Sequence, residues 1–167
     1  TERILGIDPG FGRTGWGVIE KTKGDWQAVA WGCIETSAKD QFANRLCELH
    51  EELKLIIKKY KPTSVAVEDL FFAKNVKTAM KVGQARGAIL LTIKEFDLPL
   101  YEFTPLQIKQ AIAGYGRAEK GQVQKMVRML LKVKNRITPD DAADALAAAL
   151  TGGASVGFYR AVEKGSG

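Results

Sequence analysis

The chain has 167 residues, 46% of them hydrophobic and 26% charged, with a formal net charge of +6. That suits one domain with a real core, and no apolar run approaches the roughly 20 residues that span a bilayer. Thr1, Glu2 and Arg3 open no signal-peptide pattern, so the expected place of work is the cytoplasm, away from any membrane.

Arg3–Asp8 is a short apolar run that ends in an acid. Thr14–Glu20, after a glycine-rich turn, reads as a second strand, and Trp26–Glu35, with Val29, Trp31 and Ile34, as a third. Over Asp40–Tyr60 the period changes: Leu46, Leu49, Leu53, Ile56, Ile57 and Tyr60 recur at helical spacing, and Pro62 marks the stop. Thr63–Glu68 is a strand that again ends in an acid. Lys74–Phe96 reads as a long helix and Pro99–Phe103 as a fifth strand. Thr104–Ala113 and Glu119–Leu131 are shorter helices around a glycine loop. Thr138 or Asp140 is expected to cap a last helix, which Gly152 and Gly153 end near Leu150. Residues 1–155 are expected to form the domain and 156–167 a disordered tail. Cys33 and Cys47 lack metal-ligand spacing and are expected as buried, reduced thiols. With His50 the only histidine, a Cys/His zinc site is not expected.

Three hairpin-linked strands followed by two helix-separated strands predict an α/β fold, a mixed five-stranded sheet with helices on both faces. This is the order of the ribonuclease-H-like fold. Right-handed crossovers then bring the fourth strand beside the first, and Asp8 and Glu68 emerge at one edge of the sheet, a usual place for a site in open α/β sheets. Asp141 and Asp144 are three apart, on one face of the last helix, whose alanines allow it to lie close to the sheet. Any one of these acids alone reads equally as a turn residue or a helix cap. Together, four converging carboxylates repel one another, and divalent cations relieve that repulsion. Oxygen ligands without histidine favour Mg²⁺ or Mn²⁺ over Zn²⁺. Two such ions about 4 Å apart can activate water at a phosphodiester.

The same residues carry a family resemblance. Gly6-Ile7-Asp8-Pro9-Gly10 with Thr14-Gly15-Trp16-Gly17 resembles the opening of the RuvC Holliday-junction resolvases. Glu68 followed by Phe71-Phe72-Ala73-Lys74-Asn75, then Gly83-Gln84-Ala85-Arg86-Gly87, then Lys109, Ala118-Glu119-Lys120 and the closing Asp141-Ala142-Ala143-Asp144-Ala145-Leu146-Ala147 follow in family order. The resemblance implies a homodimeric, Mg²⁺- or Mn²⁺-dependent endodeoxyribonuclease. It would nick opposed strands of four-way junction DNA beside the branch-migration proteins RuvA and RuvB. By position it makes Asp8, Glu68, Asp141 and Asp144 the metal ligands, although some members carry histidine at the position of Asp141. It implicates Lys109 and Lys120 in catalysis and stacks Phe71 at the junction centre, with Phe72 more buried. Asp140 falls outside the matched positions and is read as a cap.

Lys74, Lys77 and Lys81 form one stripe on the long helix, and Arg86 lies on the same helix. Lys109, Arg117, Lys120, Lys125 and Arg128 form a second basic set. Both sets suit phosphates, with a solvated helix face as the alternative. Arg117 and Lys120 are expected near the scissile phosphate. Gly83 and Gly87, four apart in a helix where glycine costs about 1 kcal/mol, point to close approach of another backbone, and that helix is the expected dimer interface. Two other readings stay open here: an actin-like sugar-kinase phosphate loop at Asp8-Pro9-Gly10, and a junction-binding module without catalysis.

Overall fold

The computed structural model describes residues 1–69 and 75–165, and for 156–165 the helical backbone only. Strands β1 (Arg3–Asp8), β2 (Arg13–Thr22) and β3 (Asp25–Glu35) form an antiparallel meander. The β2–β3 turn is made by Lys23 and Gly24, both at positive φ, the backbone that a tight two-residue hairpin requires. Helix α1 (Phe42–Tyr60) buries Leu49, Leu53, Ile56 and Ile57 at the spacing the sequence shows. Strand β4 (Ser64–Glu68) follows, then α2 (Val76–Glu95), capped by the Asn75 side chain, which accepts from Lys77 N. Strand β5 (Leu100–Phe103) leads into α3 (Pro105–Ala113) through a Thr104/Gln107 capping box. Helices α4 (Lys120–Leu130) and α5 (Asp140–Gly165) complete the chain.

The five strands run in the order β3-β2-β1-β4-β5. The predicted adjacency holds: β4 lies parallel to β1, with Ile7 opposite Val67. Asp8 and Glu68, one residue further on, therefore leave neighbouring strands at the same edge. Side chains alternate across each strand. Leu5, Ile7, Val18, Val65 and Val67 pack under α1 and α2, while Ile4, Ile19 and Ala66 pack under α3, α4 and α5. Helices thus cover both faces, as expected.

Helix α5 crosses β1, β2 and β4 at unusually short range. A Cβ on Gly6 would stand 1.9 Å from Ala145 O, and one on Gly15 would stand 2.0 Å from Asp141 O. Only glycine lets two backbones approach like this. The expected end of α5 near Leu150 is corrected by the same packing. Gly152 faces Ala66 and Ile4, and Gly153 faces the Trp26 ring. They are interior helix residues chosen for contact, and the helix continues past the expected domain boundary to Gly165. Cys33 and Cys47 are both free thiols, but neither is buried as expected: Cys33 is half-buried and Cys47 exposed. His50, the sole histidine, binds Thr92 Oγ1 at 2.7 Å and ties α1 to α2.

Candidate active site

The four acids reach the strand edge on three elements. Asp8 ends β1, Glu68 ends β4, and Asp141 and Asp144 come from the first turns of α5, held close over β1 and β2 by Gly6 and Gly15. Asp8 and Glu68 are half-buried side by side. Burial first, then the charge of Glu68, holds Asp8 far above the ordinary carboxylate range, with Asp144 and Asp141 adding to the push. Glu68 is also raised, by burial foremost, with Lys120 and Lys109 acting against the rise. Burial raises Asp144, while Lys120 opposes the rise. Asp8 therefore sits in the field of the other three predicted acids, and a cation at this edge would relieve that repulsion.

The basic residues are equally specific. Lys120 Nζ stands 3.7 Å from Asp144 Oδ2 and 3.9 Å from Asp140 Oδ2. Lys109 and Lys120 line a pocket of ≈ 210 Å³ with Glu68 and Asp144. Arg117 is exposed at the turn before Lys120. Asp140 is not a cap. It is the first residue of α5, and Arg136 Nη2 donates to it at 3.0 Å. That bond, more than any other, lowers its carboxyl below the ordinary range.

Two assignments change in detail. Arg86 does not project toward solvent as a free cation: it pairs with Glu102 and lies 3.5 Å from Asp69. Asp69, which directly follows Glu68, also donates its backbone N–H to Phe103 O at 2.7 Å. Arg86 thus steadies the end of β4. Lys81 Nζ lies over the rings of Phe11 and Phe42 at 5.7 and 5.8 Å, and only Lys77 of the stripe is exposed without a described side-chain partner. Lys74, Phe71 and Phe72 lie outside the described residues.

Arg13 is a site residue that sequence reading missed. Its Nε donates to Asp141 Oδ2 at 3.0 Å, and its Nη1 donates to Glu35. The available signal was a lone cation in the turn after Asp8, at a strand start facing the end of β3.

The donor set fits a hard divalent cation: buried carboxylate oxygens, no imidazole, and negative charge that nearby lysines only partly offset. Among the described residues, no three acids, histidines or cysteines already stand close enough to cage an ion. Asp141 is held by Arg13 and Asp144 faces Lys120, so both would turn inward on binding. Among the described residues, no helix is long and apolar enough to cross a membrane.

Residues 4–152 match the family model described as crossover junction endodeoxyribonuclease RuvC. The RuvC of Petrotoga mobilis is 53% identical over 150 residues, which cover 90% of this chain and 92% of that protein. The RuvC of Roseiflexus is 49% identical over 163 residues, covering 98% and 97%. Among solved structures, Thermus thermophilus RuvC in complex with a Holliday junction substrate superposes with a TM-score of 0.85 at 37% identity, covering 90% of this chain and 92% of that one. The yeast mitochondrial Holliday junction resolvase shares the fold, with a TM-score of 0.65 at 14% identity over 90% of this chain and 77% of that one.

Proposed function

The chain belongs to the RuvC family of crossover junction endodeoxyribonucleases, and from that premise we propose that it resolves four-way DNA junctions by paired hydrolysis on opposed strands, in recombination and repair. The observation that carries the reading is the placing of Asp8 and Glu68 at one sheet edge within the field of Asp144 and Asp141, with Lys109 and Lys120 lining a pocket beside Glu68 and Asp144. Asp8, Glu68, Asp141 and Asp144 would hold two Mg²⁺ ions, for which Mn²⁺ can substitute. When bound, such ions supply an activated water and charge stabilisation at the leaving oxygen.

The chain's own groups do the rest. Lys120 and Lys109 approach the pocket from the α4 and α3 side, where their charges oppose the negative charge that develops on a phosphodiester under attack. Asp144 faces Lys120 at 3.7 Å until it turns inward to a cation. Arg13 keeps Asp141 at the rim until the site fills. Lys77 and Arg117, exposed on either side, with Lys74 and Lys81, neutralise the phosphates of the arms. Phe71 is the residue proposed to stack at the junction centre, outside the described residues.

We assign the homodimer interface to α2. A Cβ added at Gly83 or Gly87 would meet nothing within 4 Å on this chain, while Val76 and Met80 are 76% and 62% exposed on the same helix. Exposed apolar residues beside open glycines suit a second copy's backbone. The branch-migration proteins RuvA and RuvB are the proposed partners, and the cytoplasm the proposed compartment.

The test is a mobile four-way junction, each strand labelled in turn, incubated with Mg²⁺, Mn²⁺ or EDTA beside a linear duplex and the Asp8→Asn variant. Paired nicks on opposed strands are expected, abolished by EDTA and by Asp8→Asn. Junction binding without cutting in either metal, or cutting that survives EDTA, would overturn the proposal.

A further inference from the structure

A second basic feature lies outside the acid edge. A cleft of ≈ 430 Å³ runs along α4 and the segment after it, lined among others by Gly121, Gln124, Lys125, Arg128, Lys134 and Arg136. The four α4 residues are spaced i, i+3, i+4 and i+7, so they form one face. Lys120, which lines the active-site pocket, immediately precedes Gly121. The cleft therefore begins one residue from that pocket in sequence and follows α4 for about 10 Å of helix. At roughly 3.4 Å per nucleotide along a strand, that length matches about three nucleotides.

The charge of the cleft is only partly met within the chain. Lys132 pairs with Asp25 at 2.8 Å and Arg136 with Asp140 at 3.0 Å. Lys125, Arg128 and Lys134 are in no ion pair among the described residues. Arg128 is a fixed cation rather than a waving one, because its Nη2 donates to Lys134 O at 2.7 Å. Its Nε is covered and has no acceptor, and Gln124 Nε2 is covered near Asp140 without a properly directed hydrogen bond. Covered donors without acceptors are unfavourable, and the unpaired charges of Lys125, Arg128 and Lys134 leave a positive field that an anion in the cleft would meet. Gly121, in the first turn of α4, has open space where a Cβ would be, so a strand backbone can come close to the helix start. Asp140 lies between Lys120 and Arg136 and separates the cleft from the acid edge electrostatically.

We propose that this cleft is a second phosphate-binding site, which holds the sugar–phosphate backbone of a DNA strand about three nucleotides from the phosphate at the acid edge. It anchors the arm and takes no part in hydrolysis. The identity of the polyanion rests on the nuclease reading, whereas the site itself rests on the cleft.

The test is binding of a labelled four-way junction in EDTA over a series of KCl concentrations, with cutting in Mg²⁺ measured separately under saturating enzyme. The variant is Lys125→Ala/Lys134→Ala, which leaves the Lys134 carbonyl in place for Arg128. Lys39→Ala/Lys58→Ala removes the same charge elsewhere. Loss of two phosphate contacts is expected to reduce the slope of log K against log[salt] by about 2 and affinity by about tenfold or more. An unchanged slope, or an equal change in the control variant, overturns the cleft. A wild type that binds but never cuts, with the slope change intact, keeps the cleft as a polyanion site and overturns the nuclease reading instead.

Discussion

The two faces of the sheet are packed by opposite means. Under α1 and α2, the sheet presents Leu5, Ile7, Val65 and Val67, and the helices answer with Leu53, Ile89 and Ile93. Under α5, Gly6, Gly15 and Gly17 meet the first turns of the helix, where Ala142, Ala143, Ala145, Ala147 and Ala149 are all buried. The first face is held by apolar volume, which tolerates small rearrangements at a cost in stability. The second is held nearly backbone to backbone, which fixes the position of α5 and hence of Asp141 and Asp144 above Asp8. One face supplies stability and the other sets the geometry of the chemistry.

Adding volume to the close face should produce the largest effect. In Gly15→Val the new side chain would meet Asp141 O, a backbone atom 2.0 Å from its Cβ. Overpacking of that kind costs about 3 kcal/mol, and a shift of α5 by about 1 Å should slow junction cutting about 100-fold. Thermal melts and single-turnover assays read the two effects separately. Removing volume from the other face gives a smaller and different result. Ile89→Ala empties a fully buried site and should lower stability by about 3 kcal/mol, while folded protein at permissive temperature cuts at nearly the wild-type rate. If Ile89→Ala slowed cutting as much as Gly15→Val, the division between the faces would fail.

Much of this was legible in the sequence because it rests on local rules. The strand-end acids Asp8 and Glu68, the three-residue spacing of Asp141 and Asp144, and the parallel placement of β4 beside β1 follow from periodicity and connection rules. What escaped was the use of residues whose role depends on distant partners. Gly152 and Gly153 read as a helix end because the Trp26 ring and the Ala66 methyl that demand them are remote in sequence. The pairing of Arg86 with Glu102 and Asp69 escaped because those partners cannot be seen across from it in sequence. Arg13 carries no motif, yet its strand register puts it opposite Glu35 and within reach of Asp141. Cys47 reads as a buried thiol on composition alone, but it falls on the outer side of α1.

The close face assembles more negative charge than the protein can neutralise, and leaves the remainder to cations. That central claim is tested most directly by the stability of wild type and Asp8→Asn across pH, with EDTA and with Mg²⁺. Folding raises the pKa of Asp8 above its ordinary value of 3.8, so this group contributes stability at low pH that is lost as pH rises through the raised value. In EDTA, wild type should therefore weaken from about pH 5 toward about pH 9 relative to Asp8→Asn, and Mg²⁺ should restore wild type most at the alkaline end while leaving the variant little changed. Parallel pH profiles for the two proteins, with no response of wild type to Mg²⁺, would contradict the account.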